Sequence, residues 1–205
     1  GTQVTGAYGV ALGQEAKVDK SFSSAVGYQA EANSTGSAAI GTWAKTFGVD
    51  SAALGNFAEA YGPESLALGK HAKTDSMAVQ ALAVGANASA VGVASNAIGW
   101  NAKTSAQNAT ALGSNAQAYG ESGIAIGSNA LAGNLGSETT LVRTIAIGDG
   151  AQATAQSEDV ALGANSKTSN VISTPNTIID GKTYNYAGIN PTSTLSVGKS
   201  GAERT

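Results

Sequence analysis

A short phrase recurs eleven times along this chain, and it constrains the fold more than any other feature. The phrase reads alanine, branched aliphatic, glycine, two variable residues, alanine, one variable residue and a small residue. Its glycines are Gly13, Gly27, Gly41, Gly55, Gly69, Gly85, Gly99, Gly113, Gly127, Gly148 and Gly163. Seven of the ten intervals are 14 residues, and the others are 15, 16 and 21. A fixed period of this kind predicts a stack of equivalent structural units.

Each repeat unit favours two short strands over a helix. A glycine every 14 residues, next to β-branched residues, opposes helix formation, whereas alternation of apolar and polar residues on both sides of the glycine is typical of strands. Second glycines at Gly48, Gly62, Gly92 and Gly120 mark another turn seven residues after the first. Each repeat unit is therefore predicted to form one coil of a parallel β-solenoid. Positions are numbered below from the repeat glycine, as −2 or +4.

Position +4 supports coils stacked in register. Over the first five units it alternates in sign, as Lys17, Glu31, Lys45, Glu59 and Lys73. Neighbouring strands lie about 4.8 Å apart, so opposite charges would attract where like charges would repel. The alternation indicates an outward face.

Strand alternation predicts the orientation of the other positions. We expect the aliphatic at −1 and the small residues at +3 and +5 to point into the coil. The −2 residue would then point outward, yet it is alanine in every unit, which suggests close packing against other copies of the chain. The predicted interface alanines are Ala11, Ala25, Ala39, Ala53, Ala67, Ala83, Ala97, Ala111, Ala125, Ala146 and Ala161. From these residues alone, two copies and three copies both remain open.

Composition argues against catalysis and against several partners. The chain has no cysteine, so no thiolate metal site is expected within it, and its one histidine, His71, cannot by itself form a cluster of histidine metal ligands. We expect His71 to have no catalytic role. No phosphate-binding glycine loop is present, and a net charge of −3 disfavours nucleic acid. No apolar run approaches the roughly 20 residues that span a bilayer. We therefore expect no enzyme, no cofactor and no metal, and membrane attachment only through an anchor outside this sequence.

The repeats carry a family resemblance. Segments such as 122–127 (Ser-Gly-Ile-Ala-Ile-Gly) and 108–113 (Asn-Ala-Thr-Ala-Leu-Gly) resemble the YadA-like heads of trimeric autotransporter adhesins, over about residues 7–169. The resemblance implies an all-β fold, a left-handed parallel β-roll with two short strands per 14-residue coil, intertwined as a homotrimer. It implies a head over residues 1–169, with an insertion near 133–144.

The C-terminal part is similar to the neck of the same family. Residues 194–204 contain the Ser-Val-Gly and Glu-Arg signature, which here is Ser196, Val197, Gly198, Glu203 and Arg204. The resemblance implies that residues 170–205 form a neck that leads to a coiled-coil stalk beyond this sequence. Within it, residues 176–184 predict a hairpin with an Asp-Gly turn, which we expect to pack on a neighbouring subunit.

The resemblance also implies a function. Such heads lie on the bacterial cell surface, exported to the outer membrane, and attach to host extracellular matrix, host cells, other bacteria or abiotic surfaces. The expected partners are the chain itself, as a homotrimer, and a matrix protein such as collagen, fibronectin or laminin, or a cell or abiotic surface. The alternative is a structural spacer in a long trimeric fibre whose binding site lies elsewhere. Acyltransferases on parallel helices, ice-binding solenoids and phage fibres fit the repeat less well.

Aromatic side chains form the candidate ligand surface. Trp43, Phe57 and His71 occupy +2 in three consecutive coils and should stack as a ladder, with Tyr28 and Trp100 at +1 nearby. Further along, +2 becomes asparagine at Asn87, Asn101, Asn115 and Asn129. Two interpretations remain open: position +2 lies at a subunit junction, or the aromatic residues form an exposed stripe that contacts ligand.

Overall fold

The computed structural model describes residues 1–134 and 141–203 as an all-β chain. Within those residues there is no helix, and so none that could cross a membrane. A three-residue strand precedes each repeat glycine: β2 (Val10–Leu12), β4 (Ser24–Val26), β6 (Ala38–Ile40), β8 (Ala52–Leu54), β10 (Leu66–Leu68), β12 (Leu82–Val84), β14 (Asn96–Ile98), β16 (Thr110–Leu112), β18 (Ile124–Ile126), β20 (Ile145–Ile147) and β22 (Val160–Leu162).

Two-residue strands alternate with these along the chain. They are β1 (Gln3–Val4), β3 (Lys17–Val18), β5 (Glu31–Ala32), β7 (Lys45–Thr46), β9 (Glu59–Ala60), β11 (Lys73–Thr74), β13 (Ser89–Ala90), β15 (Lys103–Thr104), β17 (Gln117–Ala118), β19 (Leu131–Ala132) and β21 (Gln152–Ala153). Five further strands follow the repeats: β23 (Asn176–Ile179), β24 (Lys182–Asn185), β25 (Leu195–Ser196), β26 (Gly198–Lys199) and β27 (Ala202–Glu203).

The strands form two parallel sheets, one on each side of a solenoid. The long-strand sheet contains β2 to β22 in even order and ends with β25, and the short-strand sheet contains β1 to β21 in odd order. Each coil pairs with the next in the predicted register, as Ala25 with Ala39 and Ala53 with Ala67. The 16-residue interval keeps this register, because Ala67 pairs with Ala83. The solenoid with two strands per 14-residue coil is therefore confirmed.

The repeat glycines form the turn between the two strands of a coil. At Gly99, φ is +135°, a region that L side chains rarely adopt. A β-carbon there would lie 2.3 Å from the carbonyl oxygen of Gly113 in the next coil. The Gly99 N–H donates to the carbonyl oxygen of Val84, 2.7 Å away. The positive φ and the close stacking of the coils together explain why glycine occupies this position in every repeat unit.

The interior of the coil is filled almost entirely by small side chains. Positions +3 and +5 are buried as predicted, for example Ala44 and Thr46. Where a serine at −4 faces a threonine at +5 across the same coil, their hydroxyls form a buried hydrogen bond, at 2.7–2.9 Å. The three pairs are Ser37 with Thr46, Ser65 with Thr74 and Ser95 with Thr104. Each pairing satisfies hydroxyls that would otherwise be costly to bury.

The predicted orientation of the alanines at −2 is wrong. Ten of them are fully buried inside the coil of a single chain, so they cannot form the interface between copies: Ala25, Ala39, Ala53, Ala67, Ala83, Ala97, Ala111, Ala125, Ala146 and Ala161. Ala11, in the first coil, is half-buried. The strand alternates with the opposite phase to the predicted one, so that −2 faces into the coil and −1 faces outward. Because tight turns hold the two sheets close together, there is room at −2 only for a methyl group. This lack of space, rather than a sister chain, explains the invariant alanine.

The aliphatic residues at −1 consequently point outward. Leu12, Ile40, Leu68, Leu112 and Leu162 are 41–67% exposed, and the other −1 residues are half-buried. Apolar residues also occur at −3, the other outward position of the same strands, as in Leu66 and Ile124. We call this surface, formed by the −1 and −3 residues of β2 to β22, the aliphatic stripe. It runs the length of the long-strand sheet.

The chain leaves the solenoid after coil 11 and then returns to it. The predicted hairpin is confirmed: β23 and β24 are antiparallel, and the turn residues Asp180 and Gly181 both have positive φ. β25 then pairs in parallel with β22, which places Leu195 beside Val160. The hairpin itself is exposed, with Ile178 68% accessible.

A buried carboxylate holds the returning segment. Asp159 is fully buried, and its Oδ1 accepts hydrogen bonds from the N–H (2.7 Å) and the hydroxyl (3.0 Å) of Thr194. Its Oδ2 accepts one from the N–H of Gln156 at 2.9 Å. The N–H of Gly198 donates to the Ser166 hydroxyl at 2.9 Å. These contacts join residues 194–198 to the last coil.

The predicted neck residues lie in and beside this returning segment. Ser196 belongs to β25, Val197 is 45% exposed, and Gly198 pairs with Glu203 between β26 and β27. Arg204 lies outside the described residues, as do residues 135–140 of the predicted insertion. The roles assigned to the neck residues and the domain boundary at 169/170 stay predictions.

Candidate ligand-binding surface

The outer face of the short-strand sheet presents three parallel columns of side chains, at +2, +4 and +6. Positions +2 and +4 line a common groove at the first coils, which includes Glu15, Lys17, Gln29, Glu31 and Trp43. Position +6 lies on the other side of +4, since the amide of Asn33 donates to the Glu31 carboxylate at 3.5 Å. Together we call them the outer columns.

The +2 column contains the predicted aromatic ladder. Trp43 and Phe57 stack with ring centroids 6.1 Å apart and planes 6° apart, and Phe57 and His71 stack at 5.0 Å and 9°. All three residues have φ between +56° and +61°, the left-handed conformation that side chains seldom adopt. Phe57 is 41% exposed. Since the ring faces cover one another, the rings present their edges to solvent.

The two +1 residues differ in their relation to this ladder. Tyr28 meets Trp43 edge to face, with centroids 5.8 Å apart and planes at 79°, so it extends the ladder by one ring. Trp100 belongs to coil 7, two coils beyond His71, and is 55% exposed. No ring contact joins Trp100 to another aromatic residue in the described part of the chain. The structure therefore brings together four of the five candidate residues.

The +2 column continues as an asparagine ladder. The amide of Asn101 donates to the Asn115 side chain at 2.8 Å, and that of Asn115 to Asn129 at 3.3 Å. These residues and Asn87 all have φ between +54° and +59°. Asparagine tolerates this conformation better than most residues, so the backbone alone accounts for its recurrence, without a subunit junction.

The +4 column contains the alternating charges in the predicted register. Lys17 pairs with Glu31, Glu31 with Lys45, Lys45 with Glu59, and Glu59 with Lys73. Two of these four neighbouring pairs also form ion pairs through their side chains: Lys45 with Glu31 at 3.3 Å and Lys73 with Glu59 at 3.2 Å. Lys17 makes no ion pair among residues 1–134 and 141–203. Exposed pairs of this kind contribute only about 0–1 kcal/mol each.

The +6 column contains a second aromatic stack that the sequence analysis missed. Phe47 and Tyr61 lie 4.6 Å apart with planes at 6°, and the Lys73 ammonium lies 4.8 Å from the Tyr61 ring centroid. The signal was present in the sequence, because these residues are 14 apart at the same position. Phe47 is 43% exposed. Coils 3 and 4 therefore present an aromatic column, a charged column and a second aromatic column side by side, whereas the +6 residue of coil 5 is Asp75.

Farther along the solenoid the outer columns are mostly polar, apart from Val91 at +6 and Leu131 at +4. The hydroxyl of Tyr119, at +6, donates to the side-chain oxygen of Gln117, at +4, and burial raises the pKa of this tyrosine. Among the described residues, no group of three or more His, Cys, Asp or Glu side chains is placed to hold a metal ion. The columns offer ring edges, exposed ion pairs and amides, which suit non-covalent binding of an elongated partner.

Comparison with known proteins is consistent with the repeat. A family model described as the YadA head domain repeat (2 copies) matches residues 5–30, 19–44, 32–58, 48–72, 105–130 and 142–166, more than half of the chain. The crystal structure of the collagen-binding domain of the Yersinia adhesin YadA is similar, with a TM-score of 0.56 and 27% identity, over 70% of this chain and 76% of that one. No curated protein matches the chain.

Proposed function

Since the chain belongs to the YadA head domain repeat family, we propose that it is the head of a homotrimeric adhesin on the bacterial outer membrane, and that it attaches the cell to host matrix or another surface. The coarse assignment to an adhesin head follows from the family and the fold. We propose in addition the number of chains in the assembly, the target to which it attaches and the residues that contact this target.

The aliphatic stripe carries the proposal of self-association. A soluble single chain seldom exposes a continuous apolar surface along its whole length, and the interior of each coil is too narrow to bury the stripe. Burying one fully exposed Val, Leu or Ile side chain contributes about 1.5–3 kcal/mol. The −1 residues of the eleven coils are partly exposed, so each would contribute a part of this. Sister copies that pack stripe against stripe would bury all of them at once.

Three copies around an axis agree with the family resemblance. In this arrangement the long-strand sheets face inward and the outer columns face solvent. Leu195 continues the stripe beyond Val160, so the contact would extend into the returning segment. The hairpin of β23 and β24, which exposes Ile178 and Tyr184, would pack on a neighbouring subunit.

The outward position of the columns supports the aromatic ladder as the ligand contact. Trp43, Phe57 and His71, with Tyr28 at the end of the ladder and Trp100 farther along, would remain accessible in such a trimer. The YadA domain of the similar crystal structure binds collagen. Collagen is therefore the first target to test here, followed by fibronectin and laminin.

The test is solid-phase binding of the trimer to collagen, fibronectin, laminin, host cells and plastic. Asparagine is the replacement of choice in the ladder, because it already occupies +2 in coils 6 to 9 without straining the backbone. We expect Trp43→Asn/Phe57→Asn to reduce adhesion at least fivefold with the trimer intact. Met77→Ser, at another exposed apolar position, is the matched control and should leave adhesion unchanged.

Two outcomes would contradict parts of this proposal. Dissociation of the trimer in the ladder variant would assign the aromatic residues to a subunit junction. Failure of the trimer to bind any of these surfaces would favour the alternative, a spacer whose binding site lies elsewhere in the fibre.

A further inference from the structure

We propose that the second turns of coils 3 to 6 bind a cationic amphipathic helix of a partner protein. We call these turns, residues 47–50, 61–64, 75–80 and 91–94, the second-turn edge. Each turn connects a short strand to the next long strand, on the side of the coil away from the repeat glycine and the aromatic ladder. Backbone hydrogen bonds hold the turns in one column: the N–H of Glu64 donates to the carbonyl oxygen of Val49 at 2.8 Å, and that of Ala94 to Val79 at 2.8 Å.

Apolar side chains cover the second-turn edge, although this kind of turn does not require them. Five of them are exposed to solvent: Phe47, Val49, Met77, Val91 and Val93. The turns on either side, residues 33–36 and 105–108, contain only Asn, Ser, Thr, Gly, Ala and Gln. They have the same backbone, since Gly36 and Asn108 have positive φ as Asp50 and Glu64 do. An exposed apolar patch with a polar rim is typical of an interaction site.

The charges of the second-turn edge are all negative. It contains Asp50, Glu64 and Asp75 and no lysine or arginine. None of these carboxylates forms an ion pair in the described part of the chain. Lys73 borders the edge, 4.8 Å from the Tyr61 ring centroid, but its ammonium is paired with Glu59. A partner with lysine or arginine beside its apolar residues therefore complements both features of the edge.

The spacing of the coils suits an α-helix that lies along the solenoid axis. Successive helical turns are about 5.4 Å apart, and successive coils about 4.8 Å. One apolar side chain per helical turn can therefore contact each of the four coils in sequence. Residues on one side of a β-strand are about 6.7 Å apart and lose this register after one or two coils. Helices with a single apolar face bind apolar surfaces in this way.

The same charges argue against two other occupants. In a symmetric contact between two copies of the chain, Asp50 and Glu64 would lie near their own equivalents, and like charges repel at short range. A membrane surface that carries anionic lipids would be repelled for the same reason. The second-turn edge therefore favours a cationic polypeptide over a second copy or a lipid surface.

The probe is an 18-residue peptide of leucine and lysine whose leucines are spaced three and four residues apart, so that they form one face of a helix. Fluorescence anisotropy would measure its binding to the native assembly. One comparison peptide has the same composition with leucine and lysine in strict alternation, as in an amphipathic strand. The other is the helical peptide with glutamate in place of lysine. We expect the cationic helical peptide to bind at least fivefold more tightly than either.

Two variants test the charges and the apolar residues separately. Asp50→Asn/Glu64→Gln uses side chains that this turn position already accepts, since Asn108 and Gln80 occupy it with positive φ. Val49→Thr/Val93→Thr retains the shape of the side chains, and Thr35 occupies the equivalent position in coil 2. We expect each variant to bind the cationic helical peptide at least threefold more weakly, with an unchanged melting temperature.

Each variant has a matched control away from the second-turn edge. Glu121→Gln/Asp149→Asn removes two other exposed carboxylates, and Ile172→Thr changes another exposed apolar residue. Both controls should bind the cationic helical peptide as tightly as the parent protein does. A loss equal to that of the edge variants would show binding through overall charge or through any exposed apolar surface, and would overturn the inference.

Three further results would overturn it. Equal affinity for the lysine and glutamate helices would remove the role of the carboxylates. Tighter binding of the alternating peptide would remove the helix. Dissociation of the assembly in Val49→Thr/Val93→Thr, measured by sedimentation, would assign the edge to a subunit junction. The proposed adhesion to host surfaces depends on the aromatic ladder, so it can persist when any of these results holds, and the two proposals fail separately.

Discussion

Replacing one repeat glycine by alanine should destabilise the whole solenoid. We choose Gly99→Ala, in the central coils. The new β-carbon would lie 2.3 Å from the carbonyl oxygen of Gly113 and 2.6 Å from its carbonyl carbon. Close C···O contacts in proteins lie at about 3.3–3.6 Å, so the next coil would have to move by about 1 Å.

The expected cost has two parts. A non-glycine residue at a φ of +135° costs on the order of 1–3 kcal/mol. Movement of the next coil also weakens the hydrogen bonds of this turn, such as that from the Gly99 N–H to Val84, and each contributes about 1 kcal/mol. We therefore expect a loss of about 3 kcal/mol, or about 6–12 °C in melting temperature for a chain of this size.

The assay is thermal melting followed by circular dichroism. Protomer concentration must be matched, because the stability of an oligomer depends on it. Gly188→Ala is the matched control: a β-carbon there has no atom within 4 Å and φ is not positive. The melting temperature of Gly188→Ala should equal that of the parent protein. If Gly99→Ala also melted within about 2 °C of the parent, the close stacking of glycine turns would be refuted.

Three further changes test separate parts of the structure. Thr74→Val removes the buried hydroxyl that bonds to Ser65 at 2.7 Å and should lower the free energy of unfolding by about 1 kcal/mol. A free energy of unfolding equal to that of the parent protein, measured by chemical denaturation, would contradict the pairing. Asp159→Ala leaves the N–H of Thr194 without its acceptor and should speed hydrogen exchange over residues 194–198 while coil 5 stays protected. Exchange over residues 194–198 at the rate of the parent protein would show that Asp159 does not hold this segment. Phe57→Asn breaks the ladder between its neighbours and should quench or shift tryptophan fluorescence without changing the secondary structure; an unchanged spectrum would show that the rings are not stacked.

The sequence predicted the solenoid because its strongest signals are local and repeated. The glycine period, the second turn at +7 and the alternating charges at +4 each depend on neighbouring coils alone. The aromatic ladder was predictable for the same reason, since Trp43, Phe57 and His71 share one position in consecutive coils. The hairpin was equally local, because Asp180 and Gly181 are residues that a two-residue turn with positive φ requires.

The orientation of the strands could not be obtained from the rule that large apolar residues face inward. That rule places Leu112 inside and Ala111 outside, and the structure has the reverse. The rule assumes a core with room for large side chains, but the interior of a 14-residue coil with two tight turns holds only small ones, chiefly alanine, serine and threonine. The serines at −4 could have indicated the correct orientation. Ser37 and Ser95 lie two residues before the alanine at −2 and so share its side of the strand, and a serine that faces inward can bond to the threonine at +5.

The central claim is that sister chains cover the aliphatic stripe and leave the outer columns in solvent. Single-cysteine cross-linking tests it most directly, because the chain contains no cysteine. Leu112→Cys lies on the stripe and Gln117→Cys on the +4 column of the same coil. With a short bismaleimide, we predict covalent dimers from Leu112→Cys alone. Dimers from Gln117→Cys, with none from Leu112→Cys, would contradict the claim.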